Sequence, residues 1–207
     1  KIPIDFQEKV LRDCHEMGKE LVVESRTEQL SKEKLQWATS INPKFSVAIG
    51  LEAYDDEVLK FHVNKGFSTK SWDRAVENLN HFGLRVKTYL MFKPPFMSEG
   101  DALNHGVKWI LDVADKSDEI SVNPMNIQNG TVIDRLFRNN EYRPPWLWSL
   151  VELIHRVHPH IHPSNSGNGS EDQVCRLIIH PTAGGKVRGS HNCGKCDEEV
   201  VAAIERY

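Results

Sequence analysis

Three cysteines and a histidine near the end of the chain are the residues best suited to bind a metal. Cys193 and Cys196 form a Cys-x-x-Cys turn, with His191 just before it and Cys175 further upstream. Two thiolates in such a turn converge on one ion, and a histidine with a distant cysteine completes a tetrahedral set. We therefore predict a zinc site whose ligands are Cys175, His191, Cys193 and Cys196. His180 is a substitute for His191, and an iron–sulfur cluster, a redox dithiol pair or unconnected residues are the alternatives.

A second group consists of charged residues that follow short apolar runs. Glu24, Glu52 and Lys93 each stand where such a run ends, and Lys65 lies shortly after one. Because ligands bind at the carboxyl ends of parallel strands, we predict one polar site that contains these side chains. Carboxylates accept hydrogen bonds from sugar hydroxyls or an amine, and lysine pairs with a carboxylate, so the ligand carries an amino acid or a nucleoside. The alternative is four solvated loop charges.

The elements that must position these residues alternate between strand and helix. The pattern predicts strands at 21–23, 45–51, 86–92 and 119–122, each followed by an amphipathic helix, after an opening helix at 5–19. Hydroxyl residues are expected to begin three of these helices, and a glycine to end the one after 45–51: Ser31, Thr69 or Ser71, Thr131, and Gly66. Short connections imply parallel strands joined by right-handed crossovers. The run at 45–51 reads as a strand buried on both faces. Four strands are too few to close a barrel, so we expect further strands upstream of Lys1.

The pattern changes near residue 143. A Pro-Pro break precedes a helix at 146–157, a strand at 174–179 and a closing helix at 198–205, with a flexible loop predicted at 165–170. We divide the sequence into a partial barrel, 1–143, and a C-terminal extension with the metal site, 144–207. Four histidines between 155 and 162 are interrupted by Pro159, and we expect them to be exposed rather than metal-bound.

Composition excludes several classes of protein. The 207 residues carry 26 basic and 29 acidic side chains, a net charge of −3, which gives no support for a protein that coats nucleic acid. A local basic surface, such as Lys186 with Arg188, remains open and would contact RNA phosphates. No apolar run approaches about 18 residues, so no membrane span is expected.

Several of these motifs resemble the elongator-type radical SAM family. The resemblance is carried by the segments 22–28, 49–52, 63–66, 74–79 and 83–87. Three further segments, 93–96, 121–126 and above all 188–197 (Arg-Gly-Ser-His-Asn-Cys-Gly-Lys-Cys-Asp), resemble the radical SAM subunits of archaeosine synthases. The resemblance covers nearly all of the sequence.

The resemblance implies a fold, cofactors and partners. The fold would be α/β, a partial (β/α) TIM-like barrel of the radical SAM type, truncated at its N-terminus. The cofactors would be S-adenosyl-L-methionine and a 4Fe–4S cluster, whose Cys-x-x-x-Cys-x-x-Cys loop is not in this sequence, so the 207 residues alone should be inactive. Glu24 would face the cofactor's ribose, Glu52 its methionine or ribose part, and Lys65 its carboxylate.

The implied activity is archaeal, cytoplasmic tRNA modification. A partner subunit attaches lysine to a deazaguanine base in tRNA, and the radical enzyme breaks the C–N bond of the attached lysine to leave archaeosine. Two alternatives stay open: a radical SAM enzyme with another substrate, and a non-catalytic module that binds RNA or a protein.

Overall fold

A computed structural model describes residues 2–161 and 175–206. His162 and the loop predicted at 165–170 lie outside the described residues. The strands are β1 (Val22–Ser25), β2 (Ser46–Glu52), β3 (Arg85–Phe92), β4 (Glu119–Pro124) and β5 (Arg176–Ile179). The α-helices are α1 (Ile4–Glu16), α2 (Lys32–Ile41), α3 (Thr69–His81), α4 (Glu99–Ala114), α5 (Val132–Arg138), α6 (Leu147–Ile161) and α7 (Asp197–Arg206). A π-helical turn spans Val58–Val63, and a 3₁₀ turn spans Thr27–Gln29.

The strands form one parallel sheet in sequence order, β1-β2-β3-β4-β5. In this register Glu24 pairs with Ala48, and Gly50 with Tyr89. Consecutive parallel neighbours joined by helices are the arrangement of a (β/α) barrel, and five strands make an open arc of one. The predicted fold, a partial TIM-like barrel, is confirmed.

One face of the sheet packs on the helices and the other lines the open concave side. Along β3 the burial alternates, with Val86, Leu90 and Phe92 nearly inaccessible and the intervening residues partly open. The alternation follows from the period of two in a strand. Burial on both faces, expected for 45–51, is therefore only partial, because an open arc leaves its inner face in contact with solvent.

Hydroxyl caps fix where several helices begin. Ser31 accepts a hydrogen bond from the amide of Lys34 (3.4 Å), and Thr131 accepts one from that of Asp134 (3.3 Å), both as predicted. The cap of α3 is Ser68, not Thr69 or Ser71. The turn after β2 ends at Asn64, in the left-handed region (φ 53°), so asparagine rather than Gly66 provides the stop.

The division at residue 143 does not separate two structural units. β5 pairs with β4, α6 packs on α4, and α7 packs on α6. Leu150, Leu177 and Ile204 belong to the same core cluster as the barrel strands. The segment predicted as an extension therefore supplies a barrel strand and two core helices, of which α6 packs on α4 and β5.

The helix α6 runs further than predicted. It continues through Pro159 to Ile161 and places His155, His158 and His160 within one helix. The proline lies in the last turn, where the loss of one backbone donor interrupts few hydrogen bonds. In the described part of the chain, no helix is long and apolar enough to cross a membrane.

Candidate functional site

A groove of about 600 Å³ runs along the concave face at the carboxyl ends of the strands. Its walls are built by the ends of β1 and β2 and by the exposed faces of β3 and β4. It is lined by Glu24, Ser25, Arg26, Ala48, Gly50, Glu52, Tyr89 and Asn123. Four adjacent strands thus direct polar side chains into one space, as the shared rim of parallel strands predicted.

Glu24 is fixed in the groove by the neighbouring strands. The Tyr89 hydroxyl donates a hydrogen bond to Glu24 Oε1 at 3.2 Å, across a sequence separation of 65 residues. Burial raises the pKa of Tyr89, with Glu24 adding to the rise and Lys87 opposing it, so the phenol stays protonated as the donor. The carboxylate of Glu24 is thereby oriented by a partner from β3 while it lines the open groove.

Glu52 and Lys65 meet at the end of β2. Lys65 Nζ lies 2.9 Å from Glu52 Oε1, and the two side chains are 18% and 20% exposed. A β-carbon added to Gly50 would lie 2.9 Å from that carboxylate oxygen and 3.1 Å from the ammonium nitrogen. Glycine is therefore required at position 50 for the pair to lie across the strand as it does.

Left-handed backbone is concentrated at this rim. Glu52 (φ 74°), Lys93 (φ 59°) and Phe96 (φ 64°) lie at or just after the ends of two adjacent strands. None is glycine, and each such residue costs on the order of 1–3 kcal/mol. Strain of this kind collects at sites where a side chain must be aimed, which supports a functional role for the rim.

Lys93 does not face the groove as a ligand residue. It is 7% exposed, and its Nζ donates to Glu99 Oε2 at 2.7 Å and to the Arg143 carbonyl at 2.8 Å. The Tyr142 hydroxyl donates to the carbonyl of Lys93 at 2.8 Å. The prediction that Lys93 shares the ligand site is wrong, because its ammonium ties the β3–α4 loop to the segment before α6.

Sequence reasoning missed several residues of the groove. Ala48, Gly50 and Tyr89 lie inside predicted strands, and nothing in their types marks them as polar-site residues. The available signal was the alternation of strand residues: Ala48 pairs with Glu24 and Gly50 with Tyr89, so these residues share one face of the sheet. An irregularity between Gly50 and Glu52 breaks the alternation before Glu52. Of the predicted residues, Glu24 and Glu52 line this groove, and Lys65 contacts Glu52.

The structure does not assemble the predicted zinc ligands. In residues 2–161 and 175–206, no group of three or more His, Cys, Asp and Glu side chains is placed to hold a metal ion. Cys175 is 5% exposed in the core, and burial raises the pKa of its thiol to about 12, which disfavours the thiolate that metals require. Cys193 is exposed, and His191 Nδ1 contacts the Gly189 carbonyl. The geometry gives the metal prediction no support.

The Cys-x-x-Cys turn has a structural explanation instead. Asp197, at the start of α7, accepts hydrogen bonds from the amides of Asn192 and Gly194 at 3.0 and 3.1 Å. Asn192 Oδ1 accepts from the amide of Trp148 at 3.2 Å. These hydrogen bonds tie the turn to the first residue of α7 and, through Asn192, to the start of α6.

Arg188 is engaged within the protein. Its guanidinium lies 2.6 Å from Asp134 Oδ1 and donates to the Ile127 carbonyl at 3.2 Å. Hydrogen bonds from Arg188 and then Arg138 hold the pKa of Asp134 well below its usual range. The expectation that Arg188 contacts RNA phosphates is therefore not supported, since its charge is matched by a carboxylate on α5.

Two curated relatives match this protein over most of its length. Archaeosine synthase subunit beta of Methanosarcina acetivorans is 34% identical over 192 residues, which is 90% of this chain and 51% of the relative. The same subunit of Thermococcus kodakarensis is 37% identical over 194 residues, 91% of this chain and 56% of the relative. This chain is a homologue of archaeosine synthase subunit beta. It spans about half the length of these subunits.

The fold agrees with the relationship to the archaeosine synthase beta subunits. The archaeal Elp3 of Methanocaldococcus infernus aligns with 90% of this chain and 41% of its own, with a TM-score of 0.64 and 18% identity. At that identity the match shows a shared fold. No family model matches the sequence.

Proposed function

We propose that this chain forms the cofactor-facing wall of a radical SAM enzyme that acts in tRNA modification, in the formation of archaeosine. The observation that carries the proposal is the homology to archaeosine synthase subunit beta over 90% and 91% of the sequence. The polar groove at the carboxyl ends of the strands supports it, because that is where a barrel of this type binds its ligands.

The groove fits S-adenosyl-L-methionine. The methionyl part of the cofactor carries an ammonium and a carboxylate on one carbon, and the ion pair of Glu52 with Lys65 presents the complementary charges side by side. A zwitterion can replace one internal ion pair with two, at little cost in unpaired charge. The absence of a β-carbon at Gly50 leaves the approach to the pair open.

Each polar residue of the groove would bind a different part of the cofactor. Glu24, which the Tyr89 hydroxyl holds in place, accepts hydrogen bonds from the ribose hydroxyls. Glu52 receives the ammonium and Lys65 the carboxylate. Together they fix the orientation of the cofactor, which supplies radical chemistry when it is bound beside a reduced iron–sulfur cluster.

The cysteines of this protein do not fit the cluster. Cys175 is buried, Cys193 is exposed on the α7 turn, and Cys14 lies on α1. With no suitable group of ligands in the described residues, we propose that the 4Fe–4S cluster is held by cysteines outside these 207 residues. The 207 residues alone would then bind the cofactor without cleaving it.

For the substrate we propose tRNA carrying a lysine-modified deazaguanine, in which the C–N bond of the attached lysine is broken to leave archaeosine. A second archaeosine synthase subunit would supply that substrate, since the relatives are named as one subunit of the synthase. A radical SAM enzyme with another substrate and a non-catalytic RNA- or protein-binding module are the competing functions.

The proposal is tested first by calorimetric titration of the protein with S-adenosyl-L-methionine. Wild type should bind, and Glu24→Gln and Lys65→Met should each weaken binding by roughly tenfold, the loss of one charge-assisted hydrogen bond. Lys108→Met, which removes an exposed lysine of α4, is the matched control and should bind as wild type does.

The second test uses the protein in its full natural length, reconstituted with iron and sulfide. Formation of 5′-deoxyadenosine and of archaeosine on lysine-modified tRNA supports the proposal. Production of 5′-deoxyadenosine without archaeosine would point to another substrate. Failure to bind the cofactor would leave the non-catalytic module as the better explanation.

A further inference from the structure

Three large aromatic side chains stand in solvent on the segments that follow β2, β3 and α5. Phe61 is 66% exposed on the π-helical turn, Phe96 is 63% exposed between β3 and α4, and Trp146 is 40% exposed just before α6. Exposed apolar rings are normally scattered, but these lie on loops at the same end of the sheet as the groove. We call them the rim aromatics.

The backbone holds Phe96 outward at an energetic cost. Its φ is 64°, a conformation rarely adopted by bulky residues, yet the ring it carries is mostly in solvent. Pro94 and Pro95, both buried, precede it and stiffen the segment. Burial of the ring therefore does not explain the strained conformation, and strain of this kind collects at binding sites, where a side chain must be presented.

Each rim aromatic contacts a basic side chain, either a lysine, an arginine or a histidine. Lys60 Nζ lies 4.9 Å from the centre of the Phe61 ring, and the Arg143 guanidinium lies 3.6 Å from that of Trp146. The His62 ring packs edge-on against Phe96, with centroids 5.9 Å apart. Rings paired with positive charges attract the faces of bases and the phosphates between them.

Two of the rim aromatics, Phe96 and Trp146, are connected through the buried Lys93. Its partner Glu99 accepts a hydrogen bond from the Trp146 amide at 2.9 Å, and Lys93 itself binds the carbonyl of Arg143. Phe96 lies between Lys93 and Glu99 in sequence. The bridge fixes the loop of Phe96 relative to Trp146, so the surface is pre-organised rather than formed on binding.

We propose that the rim aromatics form a stacking surface for unpaired bases of an RNA, adjacent to the groove, with Phe96 as its central platform. This inference rests on the proposed function, because it assigns to that function the surface that holds the substrate. An enzyme that acts on one base of a structured RNA must take that base out of its stack, and neighbouring bases then need new stacking partners.

RNA is favoured over a protein partner by the charges. An apolar docking site for a protein is depleted of charge at its centre. Here Lys60 lies on the Phe61 ring and Arg143 on the Trp146 ring, while Glu99 is paired with Lys93.

The test measures the fluorescence anisotropy of a labelled single-stranded RNA of about 12 nucleotides, within the usual site size for such surfaces. Wild type should bind the single strand more tightly than its duplex. Phe96→Ala should weaken binding by about 5- to 100-fold, the range for loss of one stacked base, and Phe61→Ala should act in the same direction. Phe96→Tyr should retain most of the affinity.

Phe6→Ala is the matched control. Phe6 is a 57% exposed phenyl group on α1, away from the rim segments, and its removal should leave RNA affinity unchanged. Equal loss in Phe6→Ala and Phe96→Ala would overturn the assignment. So would an affinity that none of the rim variants alters, which would point instead to a protein partner on this surface.

A second variant separates binding from folding. Phe96→Gly relieves the left-handed strain and removes the ring, so it should bind RNA as weakly as Phe96→Ala while its melting temperature is equal to or above that of wild type. A lower melting temperature would show that the ring serves the fold and would overturn the proposal.

These measurements require no cofactor. Loss of RNA affinity in Phe96→Ala with no binding of S-adenosyl-L-methionine would retain the surface and overturn the enzymatic function. Binding of S-adenosyl-L-methionine with RNA affinity unchanged in every rim variant would retain the enzymatic function and overturn the RNA-binding surface.

Discussion

Lys65 Nζ lies 2.9 Å from Glu52 Oε1, and the pair is four-fifths buried at the end of β2. The two residues were predicted to contact opposite charges of one ligand, and they contact each other. A site that holds its charges as an internal pair avoids a buried unpaired charge when no ligand is bound. Ligand binding then becomes an exchange of partners, which favours a zwitterion over an anion or a cation alone.

Gly50 should control this exchange. Gly50→Ala places a methyl group within about 3 Å of both charged atoms, and these lie at the ends of flexible side chains, so the pair should be displaced without unfolding. We expect calorimetry to show at least about tenfold weaker binding of S-adenosyl-L-methionine, the loss of one charge-assisted contact, with stability within about 0.5 kcal/mol of wild type. Gly100→Ala, where the methyl group meets nothing within 4 Å, should bind normally.

Lys93 should be important for stability. Lys93→Met removes a buried ammonium and leaves Glu99 Oε2 and the Arg143 carbonyl without the donor that Lys93 supplies, so urea denaturation should show a loss of about 2–4 kcal/mol. Lys108→Met removes an exposed partner of Asp112 on helix α4 and should cost below about 0.5 kcal/mol. Equal losses in the two variants would contradict the assignment of Lys93 as a structural tie.

Cys175 should make the fold sensitive to alkaline pH. Burial raises the pKa of its thiol from 9.0 to about 12, so above about pH 9 the unfolded protein loses this proton and the folded protein keeps it. The unfolded state then binds fewer protons, and stability falls as pH rises between about 9 and 12, by up to about 1.4 kcal/mol per unit. Between about pH 9 and 12, the free energy of unfolding from denaturation curves should fall more steeply with pH for wild type than for Cys175→Ala.

The same samples test the metal prediction. Elemental analysis that finds no stoichiometric zinc or iron would agree with the lack of a metal-binding group of side chains among the described residues. Alkylation at neutral pH should modify the exposed Cys193 well before the buried Cys175. Protection of Cys193 that a chelator abolishes would instead revive the metal site.

Arg188 should hold the segment before α7 on the barrel. Arg188→Ala removes its contacts with Asp134 and with the Ile127 carbonyl, and should speed amide hydrogen exchange at Ile127, whose amide donates to the Arg188 carbonyl. Arg138→Ala removes a contact to the same carboxylate from within α5, so it should leave that exchange unchanged. Mass spectrometry of the exchanged peptides distinguishes the two.

The same ion pairs predict acid sensitivity. Because the pKa of Asp134 is depressed, its contribution to stability is present above its unfolded value of 3.8 and is lost as pH falls below it. Asp134→Asn should remove this part of the acid transition. If the free energy of unfolding of Asp134→Asn fell with decreasing pH as steeply as that of wild type, the two arginines would not stabilise the protein through the Asp134 carboxylate.

The alternation of apolar runs and amphipathic helices determined much of the fold from the sequence alone. Ser31 and Thr131 cap their helices as predicted, since a hydroxyl placed before a helical pattern acts within three residues of itself. The fold class followed from the same local periodicities. The pairing of β5, which lies beyond residue 143, with β4 could not be predicted, because it depends on contacts between distant residues that no local pattern encodes.

For the site, the sequence supplied the types of the charged residues and the tertiary structure decided their partners. Glu24, Glu52, Lys65 and Lys93 all lie at or beyond the ends of strands, but Lys93 turns into the protein while Glu52 and Lys65 pair. Strand order brings Tyr89 to Glu24 across 65 residues, and left-handed backbone aims Phe96 outward. Residue type fixes the charge and hydrogen-bonding capacity of a side chain, whereas its direction and burial are set by packing, which only the folded protein provides.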